Sequence, residues 1–134
     1  MVGILHILNF FWPQTGNEKK VFLLSFCVAL IFSAYTNHLW EDYYITYRAS
    51  KNLAMGKGLV FTEGQRVHTF TSPLGVLLPA ACSAVTLNQS DTVAVWLFRL
   101  VACTFLGLTS VFLLRLAIHL GWGRWAKIFL ISLF

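Results

Sequence analysis

Apolar and polar stretches alternate along this chain on the length scale of a bilayer. Residues 4–12 form a first apolar stretch of about nine residues, too short to span. It ends at Pro13 with Gly16 close behind, and reads as an interfacial helix or a frayed end within an amino-terminal segment, residues 1–20. Glu18, Lys19 and Lys20 then precede residues 21–40, which contain no Asp, Glu, Lys or Arg. At ~1.5 Å per residue that stretch makes a helix about 30 Å long, the thickness of a hydrocarbon core. Tyr35 and Trp40 suit its far interface. Phe32 spoils the small-x-small pattern that cleavage after Ala34 would need, so the span is expected to be retained.

Residues 41–70 are the polar part of the chain. The run EDYYITYRASKNLAM predicts a helix along the membrane surface, capped by Glu41 or Asp42 and closed by Gly56. Ile45, Ala49 and Leu53 recur every four residues as its apolar face, and Tyr44, Arg48 and Lys51 mark a polar one. Residues 59–61 and 66–70, joined by the turn Thr62-Glu63-Gly64-Gln65, suggest a small hairpin. Pro73 fits the first turn of a second span, residues 71–87, whose apolar core is short for a crossing. After the polar loop at residues 88–91 comes the longest apolar segment, residues 92–120. Arg99 and Arg115 lie near its ends, where long stems snorkel to the interfaces. Residues 125–134 begin a further span and stop after about half a membrane thickness, which predicts a truncated domain.

The expected fold is therefore an all-α integral membrane chain of about three to four transmembrane helices, with a juxtamembrane helix and a small hairpin between the first two. Composition agrees: 57% of the 134 residues are hydrophobic and 11% charged, where soluble domains carry about a quarter charged. The net charge is +5, but the cations are scattered singly between apolar stretches and form no stripe, which argues against nucleic acid. Cys27, Cys82 and Cys103 lie in apolar runs at spacings that match no zinc or redox motif.

Topology is under tension. Lys19 and Lys20 favour a cytoplasmic amino terminus, which places residues 41–70 outside. Strict alternation then puts Arg115, Arg124 and Lys127 outside too, against the positive-inside tendency. If the second apolar segment re-enters without crossing, those cations return to the cytoplasm.

The chemistry-bearing feature is the pair Glu41-Asp42 at the end of a span. A carboxylate in a shielded interfacial cleft has a raised pKa and can act as a general base; an acidic helix cap is the alternative reading. The run from Trp40 to Gly75 resembles the first extracytoplasmic loop of membrane-embedded GT-C superfamily glycosyltransferases, closest to bacterial arabinofuranosyl- and mannosyltransferase-like members. Their pattern runs close to D-D-A-Y-I-T-Y-R, N-L-x-x-G-x-G-x-V-F and N-P-G-E-R-V-E-G-Y-T-S-P-L-W. It is matched here by Asp42, Tyr44, Ile45, Thr46, Tyr47 and Arg48, then by Asn52, Leu53, Gly56, Gly58, Val60 and Phe61. Gly64, Arg66, Val67, Thr71, Ser72, Pro73 and Leu74 complete the match. Glu41 replaces the first Asp, Thr62-Glu63 replaces Asn-Pro, His68-Thr69 replaces Glu-Gly, and Gly75 replaces Trp.

The resemblance implies transfer of a sugar from a polyprenyl-phosphate-linked donor to an extracytoplasmic glycan or lipid acceptor at the inner (plasma) membrane. Asp42, with Glu41 second, would deprotonate the acceptor hydroxyl. Arg48 would face the donor phosphate or a lipid headgroup, and His68 would help position the acceptor or stand as an exposed loop histidine. Arg66 would contact headgroups or substrate, and Tyr44 would stack on sugar or join the aromatic belt. The resemblance leaves a divalent metal requirement open. Two other readings compete: a non-catalytic accessory or transport subunit, and an inactive transferase remnant, in which case the isolated chain shows no turnover.

Overall fold

A computed structural model describes residues 11–39, 41–65 and 72–123, without the side chains of Glu41 and Asp42. Among the described residues the chain is all-helical. The helices are α1, Gly16–Thr36; α2, Glu41–Ala54; α3, Pro73–Val85; and α4, Asp91–His119. Helices α1 and α4, of 21 and 29 residues, are long and apolar enough to cross a membrane. The 13 residues of α3 make about 20 Å of helix, well short of a ~30 Å hydrocarbon core. Two helices, where three to four were expected, thus meet the length requirement among the described residues; residues 125–134 lie outside them.

The helix ends explain the boundaries. α1 starts before the apolar run because Thr15 and Glu18 form a capping box. The Thr15 hydroxyl accepts from the Glu18 N–H at 3.2 Å, and the Glu18 carboxylate accepts from the Thr15 N–H at 3.3 Å. α1 stops at Thr36 because Asn37 takes φ 42°, the left-handed conformation that Asn tolerates better than most residues. Gly56, at φ 75°, closes α2 as its sequence suggests: the Lys57 N–H reaches the Asn52 carbonyl and the Gly56 N–H that of Leu53, both at 3.0 Å. The same pattern ends α3, where Leu87 occupies the left-handed position at φ 52°. Ser72 caps α3 by accepting from the Gly75 N–H at 3.3 Å, with Pro73 in its first turn.

The chain divides into two compact units. In the first, residues 1–35 and 101–134, α1 packs antiparallel to the carboxy-terminal part of α4. The ends are joined by Glu18, which is 7% exposed. Its carboxylate accepts from Arg115 at 3.0 and 2.9 Å and from the Gln14 N–H at 2.6 Å. Arg115 also donates to the Trp12 carbonyl at 2.9 Å. One turn along α1, Phe22 lies against Gly107: a Cβ there would fall 2.8 Å from the Phe22 ring and 3.2 Å from its carbonyl oxygen. Cys103 and Gly107 are four residues apart, a small-x-x-x-small spacing that lets helix backbones approach in an apolar medium. On the outer face of α1, Leu23 and Ile31 are 60 and 67% exposed.

In the second unit, Thr36–Leu100, α2 packs on α3. The buried stripe of α2 runs through Tyr47, Ala49 and Ser50, while Ile45 is exposed. This corrects the expected Ile45-Ala49-Leu53 face. The aromatic stack decides the rotation: Tyr43 lies between Tyr47, at 5.7 Å, and Phe98, at 5.5 Å. Val76, Pro79, Ala80, Cys82 and Ser83 form the buried side of α3. Of the expected hairpin, the described residues include the turn, with Gln65 bridged to Thr62 and Gly64 at φ 83°; its second arm, residues 66–70, lies outside the described residues. Cys82 and Cys103 are buried free thiols, as their apolar settings suggest.

Gly107→Ala is expected to lower stability by about 1–3 kcal/mol, the usual cost of overpacking. Thermal unfolding in detergent checks this, and Phe22→Ala in the same background should recover part of the loss.

Candidate functional site

Two features of the sequence position the site: the loop motif and an arginine inside a long apolar helix. The motif residues have definite jobs. The Asn52 amide donates to the carbonyls of Val60 and Phe61 at 2.8 and 3.1 Å, folding the 59–61 segment back on α2. Gly56 and Gly58, at φ 75° and 86°, make the reversal that this closure needs. Val60 is buried, and the Arg48 guanidinium lies over the Phe61 ring, 4.5 Å from its centroid.

A cleft of ≈ 310 Å³ opens in the second unit. Tyr44 from α2, Asn37 and Leu39 from the linker after α1, and Asp91, Trp96 and Arg99 from α4 are among its walls. Arg99 is 8% exposed. Its guanidinium donates to the Asn37 side-chain oxygen at 2.9 Å and to the His38 carbonyl at 3.3 Å, and stacks 4.7 Å from the Trp96 ring centroid. Asp91 accepts from Lys51 at 2.7 and 2.9 Å and from the Tyr47 hydroxyl at 3.2 Å. Burial, with Asp91 beside it, holds the Tyr47 phenol above its ordinary pKa and keeps it a donor. The Tyr43 hydroxyl is buried among the described residues without a hydrogen-bond partner.

Of the residues singled out from sequence, Tyr44 lines the cleft and Arg48 does not. Arg48 is occupied with Phe61 on the outer side of α2. The backbone of Glu41 and Asp42 forms the first turn of α2, ahead of Tyr44; their side chains, with Arg66 and His68, lie outside the described residues. Arg99 went unrecognised as a site residue. Its signal was present, because an ionisable side chain in an apolar helix marks a functional position by default. Snorkelling to an interface describes its place along α4, but its head is buried against named partners. Among the described residues, no group of three or more His, Cys, Asp or Glu is placed to hold a metal ion. No protein family, curated protein or solved structure matches this chain.

Asn37 serves both as helix stop and as the acceptor for Arg99. Asn37→Gly keeps the left-handed backbone and removes only the acceptor, which costs about 1.5–3 kcal/mol for a charged partner. Asn37→Ala adds about 1–2 kcal/mol of backbone strain. Melting temperatures should fall in the order wild type, Asn37→Gly, Asn37→Ala.

Proposed function

We propose that this chain carries the first extracytoplasmic loop and flanking spans of a membrane-embedded, GT-C-like glycosyltransferase that uses a polyprenyl-phosphate-linked sugar. The observation that carries the reading is the ordered motif from Asp42 to Leu74. Its supporting residues, Asn52, Gly56, Gly58 and Ser72, each hold a bend or a cap. The stack of Tyr43 on Tyr47 and Phe98 supports a fixed first turn of α2, which is what a general base at Asp42 requires.

In the proposed reaction the Asp42 carboxylate accepts the proton of an acceptor hydroxyl. The freed oxygen attacks the anomeric carbon, and the carbon–phosphate oxygen bond breaks as the lipid phosphate leaves with the bonding electrons. Attack opposite the leaving group inverts the anomeric centre. Glu41 is the second candidate base. The acceptor is a glycan or lipid at the outer face.

Membrane insertion is supported by the exposed apolar side chains of α1, Leu23 and Ile31 among them. The orientation places the amino terminus in the cytoplasm. The antiparallel pairing of α1 with α4 supports two crossings with α3 re-entering, so that Lys19, Lys20 and Arg115 share one face. That arrangement relieves the positive-inside conflict of strict alternation.

Asp42→Asn is expected to reduce sugar transfer from polyprenyl-phosphate donors in native membranes by about 10²–10⁴-fold, the usual weight of a general base. The variant should still resist carbonate extraction. Turnover within twofold of wild type removes Asp42 as the base.

A further inference from the structure

Two features that are unfavourable on their own meet just before α2. Arg99 is 8% exposed in an apolar helix, where an apolar side chain would pack without the cost of burying a cation. Asn37 holds φ 42°, a backbone conformation that persists where its surroundings over-determine it. The two are joined: the Arg99 guanidinium donates to the Asn37 side-chain oxygen at 2.9 Å and to the His38 carbonyl at 3.3 Å. A guanidinium suits this task because its planar fork reaches two acceptors at once in a fixed direction. Trp96, three residues earlier on α4, lies with its ring centroid 4.7 Å from that guanidinium and restrains it further.

Phe98, the residue before Arg99, stacks on Tyr43 with 5.5 Å between centroids and 25° between planes. Consecutive residues of α4 therefore take hold of the chain on both sides of Asp42. Arg99 holds Asn37 and His38 before it, and Phe98 holds Tyr43 directly after it. Tyr47 also stacks on Tyr43, and its hydroxyl donates to Asp91, the first residue of α4. All of these residues belong to the second unit, Thr36–Leu100, so the grip is internal to one compact body. Between its two points lies the first turn of α2, to which the backbone of Glu41 and Asp42 belongs.

We propose that Arg99 is a positioning residue: by tying Asn37 and His38 to α4 beside the Phe98–Tyr43 stack, it holds the first turn of α2, and with it Asp42, in one place. The consequence for sugar transfer rests on the reading of Asp42 as general base; the grip itself does not. Arg99 touches no reacting atom, and its effect runs through geometry. Displacement of a catalytic group by about 1 Å costs on the order of 10²-fold in rate. Loss of the grip therefore lowers kcat and leaves KM nearly unchanged. A residue that served stability alone would lower the amount of folded protein and leave kcat per folded molecule as it was.

The test begins with the full chain in nanodiscs, a spin label on Asp42→Cys, and Cys27, Cys82 and Cys103 replaced by serine. Asn37 offers a second way to break the same tie. Asn37→Gly keeps the left-handed backbone and removes the acceptor, whereas Asn37→Asp keeps an acceptor oxygen. The label should give an ordered, slow spectrum in the parent and in Asn37→Asp, and gain a fast component in Arg99→Gln and in Asn37→Gly. A label on Lys57→Cys, past the end of α2, should not change in any of them. A label at 42 that is mobile in the parent, or equally ordered throughout, overturns the proposal. So does loosening at 42 and 57 together, which makes Arg99 a general stabiliser. Turnover with polyprenyl-phosphate donors in native membranes then tests the consequence. Arg99→Gln should lower kcat by about tenfold or more with KM within about threefold, and should add nothing in the Asp42→Asn background. Independent, multiplying losses overturn the positioning of the base. Unchanged turnover in Asp42→Asn alone refutes the general-base reading and with it the catalytic consequence. That failure is distinct from failure of the grip, because the spin-label result needs no turnover.

Discussion

The Glu18 carboxylate at the start of α1 is 7% exposed and is held by hydrogen bonds to both of its oxygens. Two backbone N–H groups of the capping box and two guanidinium N–H groups of Arg115 reach it. Removing either partner leaves the other charge uncompensated beside the apolar face of the helix pair. That penalty makes the contact directional. Residue 18 near the start of one long helix is tied to residue 115 near the end of the other, so α1 and α4 run antiparallel. The Phe22–Gly107 contact repeats that sense a turn further in.

An antiparallel pair constrains what comes between. Among the described residues the stretch between α1 and α4 holds two helices, α2 and α3, of 14 and 13 residues, each too short to cross a bilayer. Asn37 turns the chain and accepts from Arg99, so the stop of α1 and the start of α4 are fastened by one side chain. Lys51 and Tyr47 then fix α2 to Asp91. The cleft follows from these ties, because the residues that anchor the chain also line it.

Much of the fold was legible in the sequence wherever the signal was local. Length and hydropathy identified α1 and α4, Gly56 marked the end of α2, and Pro73 the start of α3. The capping box at Thr15 and Glu18 has the T-x-x-E spacing of a local signal. The rotation of α2 was not readable, because tyrosines satisfy both an apolar stack and a polar surface, and only packing against Phe98 chose between them. The sites divide in the same way. Tyr44 and the glycines of the motif could be placed from spacing. The partners of Arg99 lie 62 and 61 residues away in the chain, and no local pattern encodes them. Arg48 also lies over the Phe61 ring, a contact that its spacing in the motif does not encode.

On the proposed topology, the Glu18–Arg115 pair returns the chain to the membrane face from which it set out. Site-directed labelling tests it most directly. Single cysteines at Lys20, Lys57 and His119, in a background with Cys27, Cys82 and Cys103 replaced by serine, are probed with an impermeant maleimide in intact cells. Positions 20 and 119 should be protected and position 57 labelled. Labelling of 20 and 119 from opposite faces of the membrane would contradict the account.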